Sequence, residues 1–244
     1  INLVTLEDER QEALFIAQEI NNRIFRDNLD YKDFAVLYRT NAQSRVLEEA
    51  MVKMRIPYRI IGGLRFYQRK EIKDILAYLR VIANPSDDIS LLRIINVPKR
   101  GIGDATINSL KAAAEEGNQS IFQVMMAVAS LPFSPTTQSK LQKFLQMTQD
   151  FRRIANTIPI SDLINYILEQ TGYMEKLLSE NTVEATNRSE NLKELIGAAI
   201  EFEQKMPNGT LEDFLAELAL VSDVDNLDEN SNAIVLMTLH NAKG

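Results

Sequence analysis

Apolar positions in the first 65 residues switch between two periods. Ile1 to Leu6 alternates in part and is rich in β-formers. Ala13, Ile16, Ala17, Ile20 and Ile24 then recur at helical spacing within Glu7 to Phe25, and Phe34 to Tyr38 is a short continuous apolar run. The predicted order is strand, helix, strand. Ser44 offers a hydroxyl cap ahead of Val46, Leu47, Ala50, Met51 and Met54, and Tyr58 to Ile61 returns to strand before Gly62-Gly63 breaks it. Strands alternating with helices predict a parallel sheet covered by helices.

Beyond Arg69 the strand pattern gives way to a long helical block. Ile72, Ile75, Leu76, Leu79 and Ile82 mark a helix that stops before Pro85. Further helical stretches run from Asp104 to Glu116, Ser120 to Ala129, Thr136 to Asn156, Ser161 to Gln170, Glu184 to Lys205 and Leu211 to Val221. The acidic, Asn-rich stretch from Asp223 to Asn232 is expected to be a linker, and Ala233 to Leu239 is again a buried-strand run. The expected fold class is therefore α/β, a parallel-sheet domain interrupted by an inserted all-helical domain.

Composition narrows the chemistry. Cysteine is absent and there is one histidine, which excludes a disulfide framework, thiolate catalysis and zinc sites that need sulfur. No apolar run approaches the length of a membrane helix and no signal-peptide pattern opens the chain, so a cytoplasmic protein without membrane contact is expected. A start at Ile1 and a stop at Gly244 directly after an apolar run lead us to expect a segment of a longer protein. The net charge of −7 argues against a nucleic-acid partner, but it is an average over segregated segments. Arg39 to Lys73 holds nine basic residues against Glu48, Glu49 and Glu71, whereas Glu201 to Glu229 holds nine acidic residues against Lys205 alone.

Three segments are candidates for phosphate and base contacts. Pro98-Lys99-Arg100-Gly101-Ile102-Gly103 sits between two helical stretches in the form of a helix-hairpin-helix. Gly101 and Gly103 allow close backbone approach, the next helix N-terminus favours an anion, and Lys99 and Arg100 add charge. A Gly-rich turn between two core helices would carry the same residues. Arg39, Thr40 and Asn41 follow a predicted strand, where ligands of open α/β sheets bind, although Arg39 and Arg45 could equally be solvated. Gly62-Gly63-Leu64-Arg65-Phe66-Tyr67 offers a cation and two aromatic faces for a base, although Phe66 and Tyr67 fit an interdomain anchor better and the Gly pair suits a hinge. His240 lies just past the last predicted strand, without nucleophile or acid partners in a recognisable motif. Asp87-Asp88 and Asp223-x-Asp225 fit helix capping or a solvated linker better than a metal site. No Gly-x-x-x-x-Gly-Lys-Ser/Thr phosphate loop occurs, so hydrolysis of ATP by this chain alone is not expected.

Taken together, these segments resemble the superfamily 1 DNA helicases of the UvrD/Rep/PcrA family, the PcrA type above all. Phe34 to Arg45 looks like the motif that opens the second motor domain, and Gly62 to Arg80 looks like its next signature. Ile94 to Gly103 is similar to the hairpin of the inserted 2B subdomain, and Val235 to Gly244 looks like the first part of motif V. Four long motifs in the family's order cover nearly the whole chain.

The resemblance implies an incomplete RecA-like 2A domain from residues 1–66 and 232–244, interrupted by a helical 2B domain over 67–231. It implies an ATP-dependent motor that moves 3′ to 5′ along single-stranded DNA in repair or replication. Residues matching Arg39, Thr40, Asn41, Arg65 and His240 would lie on single-stranded DNA; Lys99, Arg100, Gly101, Ile102 and Gly103 would meet duplex at a junction. Most family members carry Lys where this chain has Arg65. ATP and Mg2+ would serve the intact helicase, with none bound to this segment and no catalytic residue in it. Implied partners are the 1A domain of the same chain and repair or replication proteins docking on 2B. The rival reading is a stand-alone DNA- or protein-binding module without motor activity.

Overall fold

The computed structural model describes residues 1–223 and 232–243. These fall into two compact units: Ile1–Arg69 together with the stretch from Glu217 onward, and Lys70–Ala216. The chain is mostly helical, with one small parallel sheet.

In the first unit, α1 (Glu9–Asp27), β1 (Ala35–Tyr38), α2 (Ser44–Lys53) and β2 (Tyr58–Ile61) precede β3 (Ile234–Thr238), which comes from the far end of the chain. The strand order is β1-β3-β2, all parallel, with Tyr38 beside Thr238 and Ile61 beside Met237. α1 starts at Asp8, whose carboxylate accepts the Gln11 N–H at 2.7 Å, and ends at Asn28 in the left-handed region. Ala13, Ala17 and Ile20 of α1 and Val46, Leu47, Ala50 and Met51 of α2 bury one face against Tyr38, Tyr58, Ile234 and Leu236. Ile234 and Leu236 are fully enclosed because β3 has a strand on either side and helices over that face.

The second unit is helical throughout its described residues: α3 (Lys70–Ala83), α4 (Asp88–Ile94), α5 (Asp104–Gly117), α6 (Ile121–Met126), α7 (Pro135–Ala155), α8 (Ile160–Gln170), α9 (Tyr173–Ser179) and α10 (Val183–Lys205). α11 (Leu211–Asp223) begins in it and runs past its boundary. α3 is apolar on most of its circumference and packs against α4, α7, α8 and α10. Its two buried carboxylates are each satisfied: Glu71 accepts from the Asn191 amide at 2.6 Å, and Asp74 meets Arg93 at 2.7 Å and the Tyr173 hydroxyl at 2.9 Å. Asp87 caps α4 through the Ser90 N–H, and Asp88 accepts the Ile121 N–H at the start of α6, so the capping reading of that pair holds. Among the described residues no helix is long and apolar enough to cross a membrane.

Three expectations change. Ile1 to Leu6 forms no strand. No described strand lies beside it to complete a ladder, and Ile1 and Leu3 stand in solvent despite their β-propensity. Ser44 is not the hydroxyl cap of α2, because it lies inside the first turn and its hydroxyl is buried in a polar network. α9 went unforeseen: seven residues after Gly172, itself at φ 65°, are too few for a period to register. Most of the expected linker, residues 224–231, lies outside the described residues.

The enclosed position of Leu236 on the middle strand makes it the residue to test for the sheet. Leu236→Ala is expected to lower the unfolding free energy by about 2–5 kcal/mol, read from the urea midpoint at unchanged slope.

Candidate nucleic-acid interface

A parallel sheet ends all its strands at one edge, and here each strand delivers one of the sequence motifs to that edge. β1 leads into Arg39, Thr40 and Asn41, β2 into Gly62, Gly63, Leu64 and Arg65, and β3 into Leu239, His240 and Asn241. The loops are tied together. The Leu239 N–H donates to the Tyr38 carbonyl at 2.8 Å, and the Asn241 amide donates to the Ile61 carbonyl at 3.1 Å. Gly62 has φ 76°, and a Cβ there would come within 2.1 Å of the Asn241 amide nitrogen, so position 62 needs glycine for both its conformation and its neighbour. In the β1 loop, the Gln43 carboxamide oxygen accepts the N–H groups of Arg39 and Thr40 at 2.9 and 3.1 Å. Arg39 and His240 are exposed, while Thr40, Asn41 and Arg65 are half-buried.

Behind the edge sits a buried polar network that sequence reading missed. Glu48 of α2, 4 % exposed, accepts the Ser44 hydroxyl at 2.5 Å and the Phe66 N–H with both carboxylate oxygens at 3.2 and 3.1 Å, and lies 4.0 Å from Arg69. Arg69 donates to the Ser44 hydroxyl at 2.7 Å and to the Leu64 carbonyl at 3.3 Å, closing the network around the β2 loop. The carboxylate thereby holds the start of the short 3-10 turn Phe66–Gln68, and Arg65 just before it lies over the Tyr58 ring at 5.3 Å. Two readings left open by the sequence are decided here. Phe66 and Tyr67 are buried, packed edge to face at 5.0 Å, and present no face for a base to stack on. Arg45 is not solvated: it is 1 % exposed and pairs with Glu49 at 3.2 Å, so Arg45 and Arg69 are lost from the basic stripe as surface charges.

The hairpin belongs to the second unit. It runs from the end of α4 to Gly103, which stands at the N-terminus of α5. The Asn96 carboxamide oxygen accepts the N–H groups of Arg100 at 2.7 Å and Ile102 at 3.3 Å, and Gly101 takes φ 71°. Lys99, Gly101 and Gly103 are exposed. Ile102 and Arg100 turn inward. Ile102 is buried in the core, and the Arg100 guanidinium donates to the carbonyls of Ile94, Val97 and Pro98 and to the Tyr78 hydroxyl, stacked over Phe144 at 5.3 Å. Arg100 is thus the internal brace of the hairpin, because a planar fork with five donors matches a ring of carbonyls that only a turn can supply. Its charge pattern alone could not have revealed this. Tyr78 was visible within the Gly62 to Arg80 signature, but not as the post on which the hairpin stands, its hydroxyl donating to the Val97 carbonyl at 2.5 Å.

Tyr38 at the end of β1 and Tyr78 beneath the hairpin are both pushed up to about 12. Burial is the main cause in each; the Glu48 carboxylate adds to it at Tyr38, and Arg100 opposes it at Tyr78.

The first unit thus gathers polar loops at the carboxyl edge of its strands, and the second carries a braced Gly-rich hairpin. Residues 1–244 match the UvrD-like helicase C-terminal domain, and the chain belongs to that family. It is similar to the ATP-dependent DNA helicase PcrA of Bacillus subtilis (strain 168), with 42 % identity over 244 residues, 98 % of this chain and 33 % of that protein. The PcrA helicases of Staphylococcus epidermidis (strain ATCC 35984) and Staphylococcus aureus (strain Mu50) are each 42 % identical over 238 residues, 97 % of this chain and 32 % of theirs. The chain therefore spans about a third of the length of these curated relatives.

Two outcomes are expected. Gly62→Ala combines a positive φ with displacement of Asn241, and should cost more than about 1 kcal/mol in chemical denaturation. A phenol whose pKa is higher folded than unfolded loses its stabilising effect as pH rises, because the unfolded chain gives up the proton first, near 10, and the folded one only near 12. Tyr38→Phe should therefore flatten the fall in stability across that window and leave the pH dependence at neutral pH unchanged, as measured by denaturant midpoints.

Proposed function

We propose that this chain is the 2A/2B part of an ATP-dependent DNA helicase that moves 3′ to 5′, with residues 1–66 and 232–244 forming a RecA-like 2A domain and 67–231 the inserted 2B domain. The observation that carries the reading is the delivery of three separate motifs to one edge of the sheet, where exposed and half-buried cations and amide groups stand on adjacent strands. Arg39 and Arg65 are the phosphate ligands for single-stranded DNA. Thr40, Asn41 and His240 supply further hydrogen-bonding groups beside them, a mixture that tracks a backbone without reading sequence. In the second unit, Lys99 and the backbone of Gly101 and Gly103 face duplex at the junction, with Arg100 and Ile102 supporting the turn from within.

The PcrA relatives are ATP-dependent DNA helicases. This chain holds no phosphate loop, and on this reading ATP with Mg2+ belongs to the intact motor. The chain's own contribution is grip: its loops hold the single strand while closure against a 1A domain of the same protein drives the step, and 2B offers a surface to duplex and to repair or replication proteins. It works in the cytoplasm on this reading.

The test is fluorescence anisotropy with single-stranded DNA over a salt series. Arg39→Ala should weaken binding and shallow the log–log salt slope by about 0.7, one phosphate contact on a single strand. A slope identical to that of the parent chain removes Arg39 from the interface. The same purified chain should show no DNA-stimulated ATP hydrolysis, and measurable turnover would contradict the assignment of ATP to the intact motor.

A further inference from the structure

The hairpin holds a third cation that its own sequence does not contain. Lys140, in the second turn of α7, donates from Nζ to the Gly101 carbonyl at 3.0 Å, and a Cβ on Gly101 would lie 2.7 Å from that nitrogen. One turn further along α7, Phe144 lies beneath the Arg100 guanidinium. A single helix face therefore grips both the turn's carbonyl and its brace.

The chemistry at Gly101 explains why this matters. A solvent-facing carbonyl oxygen next to an approaching phosphate is repulsive, and glycine at φ 71° turns the backbone so that this group meets Lys140. An ammonium has three donors and the carbonyl uses one. Lys140 is half-buried, but its ammonium meets the carbonyl of the exposed Gly101, so covering that carbonyl with its charge converts a repulsive spot into an attractive one. We propose that Lys140 is a phosphate ligand for duplex DNA, acting with Lys99, and that it takes the place that the motif's charge pattern assigns to Arg100. The inference rests on the reading of the hairpin as duplex-facing.

The experiment measures affinity of the 244-residue chain for a short blunt-ended DNA duplex across a salt series. Lys140→Gln keeps a donor for the Gly101 carbonyl and removes only the charge; it should shallow the slope by about 0.9, as should Lys99→Ala, and the pair together by about twice that. Lys140→Arg should preserve the slope. Lys140→Met, neutral and without a donor, is a second variant should Lys140→Gln melt early, and carries the same expected change. If Lys99→Ala shallows the slope and both neutral replacements of Lys140 leave it unchanged, Lys140 is no phosphate ligand while the hairpin reading stands. If none of these variants changes the slope, or the parent chain does not bind the duplex, the hairpin reading falls and this inference with it.

Discussion

The sheet's middle strand is the last to be made. Among the described residues β1 and β2 do not pair with each other; each pairs with β3, so this sheet forms when the chain returns from more than 170 positions away to lie between them. Loop-closure entropy rises only slowly with length, so a large insertion between β2 and β3 costs the sheet little more than a short one would. What β3 brings is disproportionate. It closes the apolar face with Ile234 and Leu236, and through Leu239 and Asn241 it fastens the loop after β1 to the one after β2. Without β3, Arg39 and Arg65 would sit on two unconnected strands.

Charge has a different meaning in the two halves of the basic stretch. Arg39, Lys53, Arg55 and Arg59 are exposed, whereas Arg45 and Arg69 are buried and matched by carboxylates on α2. Buried pairs of this kind contribute little net stability over apolar residues but cost several kcal/mol when one member is removed. Their value here is positional. Glu48 binds the backbone of Phe66, and so the rigid body of α2 sets where the β2 loop, with its cation, leaves the sheet.

Much of this could be read from residues alone, and the reasons are physical. β2 and the helices α3, α5, α7, α8 and α10 announce themselves through long or sharply bounded apolar periods, and the family motifs name the loops that matter. Ile1 to Leu6 misled because alternation reports the propensity of a segment and not the presence of a neighbour. Ser44, Glu48 and Arg69 were opaque for the opposite reason: Ser44 and Glu48 meet within α2, but their links to Phe66 and Arg69 reach 18 to 25 positions along the chain, and a carboxylate in an amphipathic helix looks like any solvated one. The hairpin shows both limits. Its glycines mark the turn, yet nothing in Lys99-Arg100 says which of two adjacent cations faces out.

That asymmetry has a consequence for how the hairpin tolerates change. Lysine in place of Arg100 would keep the formal charge and lose the brace, since one ammonium cannot span three carbonyls and a phenol arranged around a planar fork. At Lys99 the side chain meets solvent, and arginine and lysine are interchangeable there at little cost. Two neighbouring positions of the same charge thus answer to different physical demands, one to the shape of the turn and the other to its surface potential.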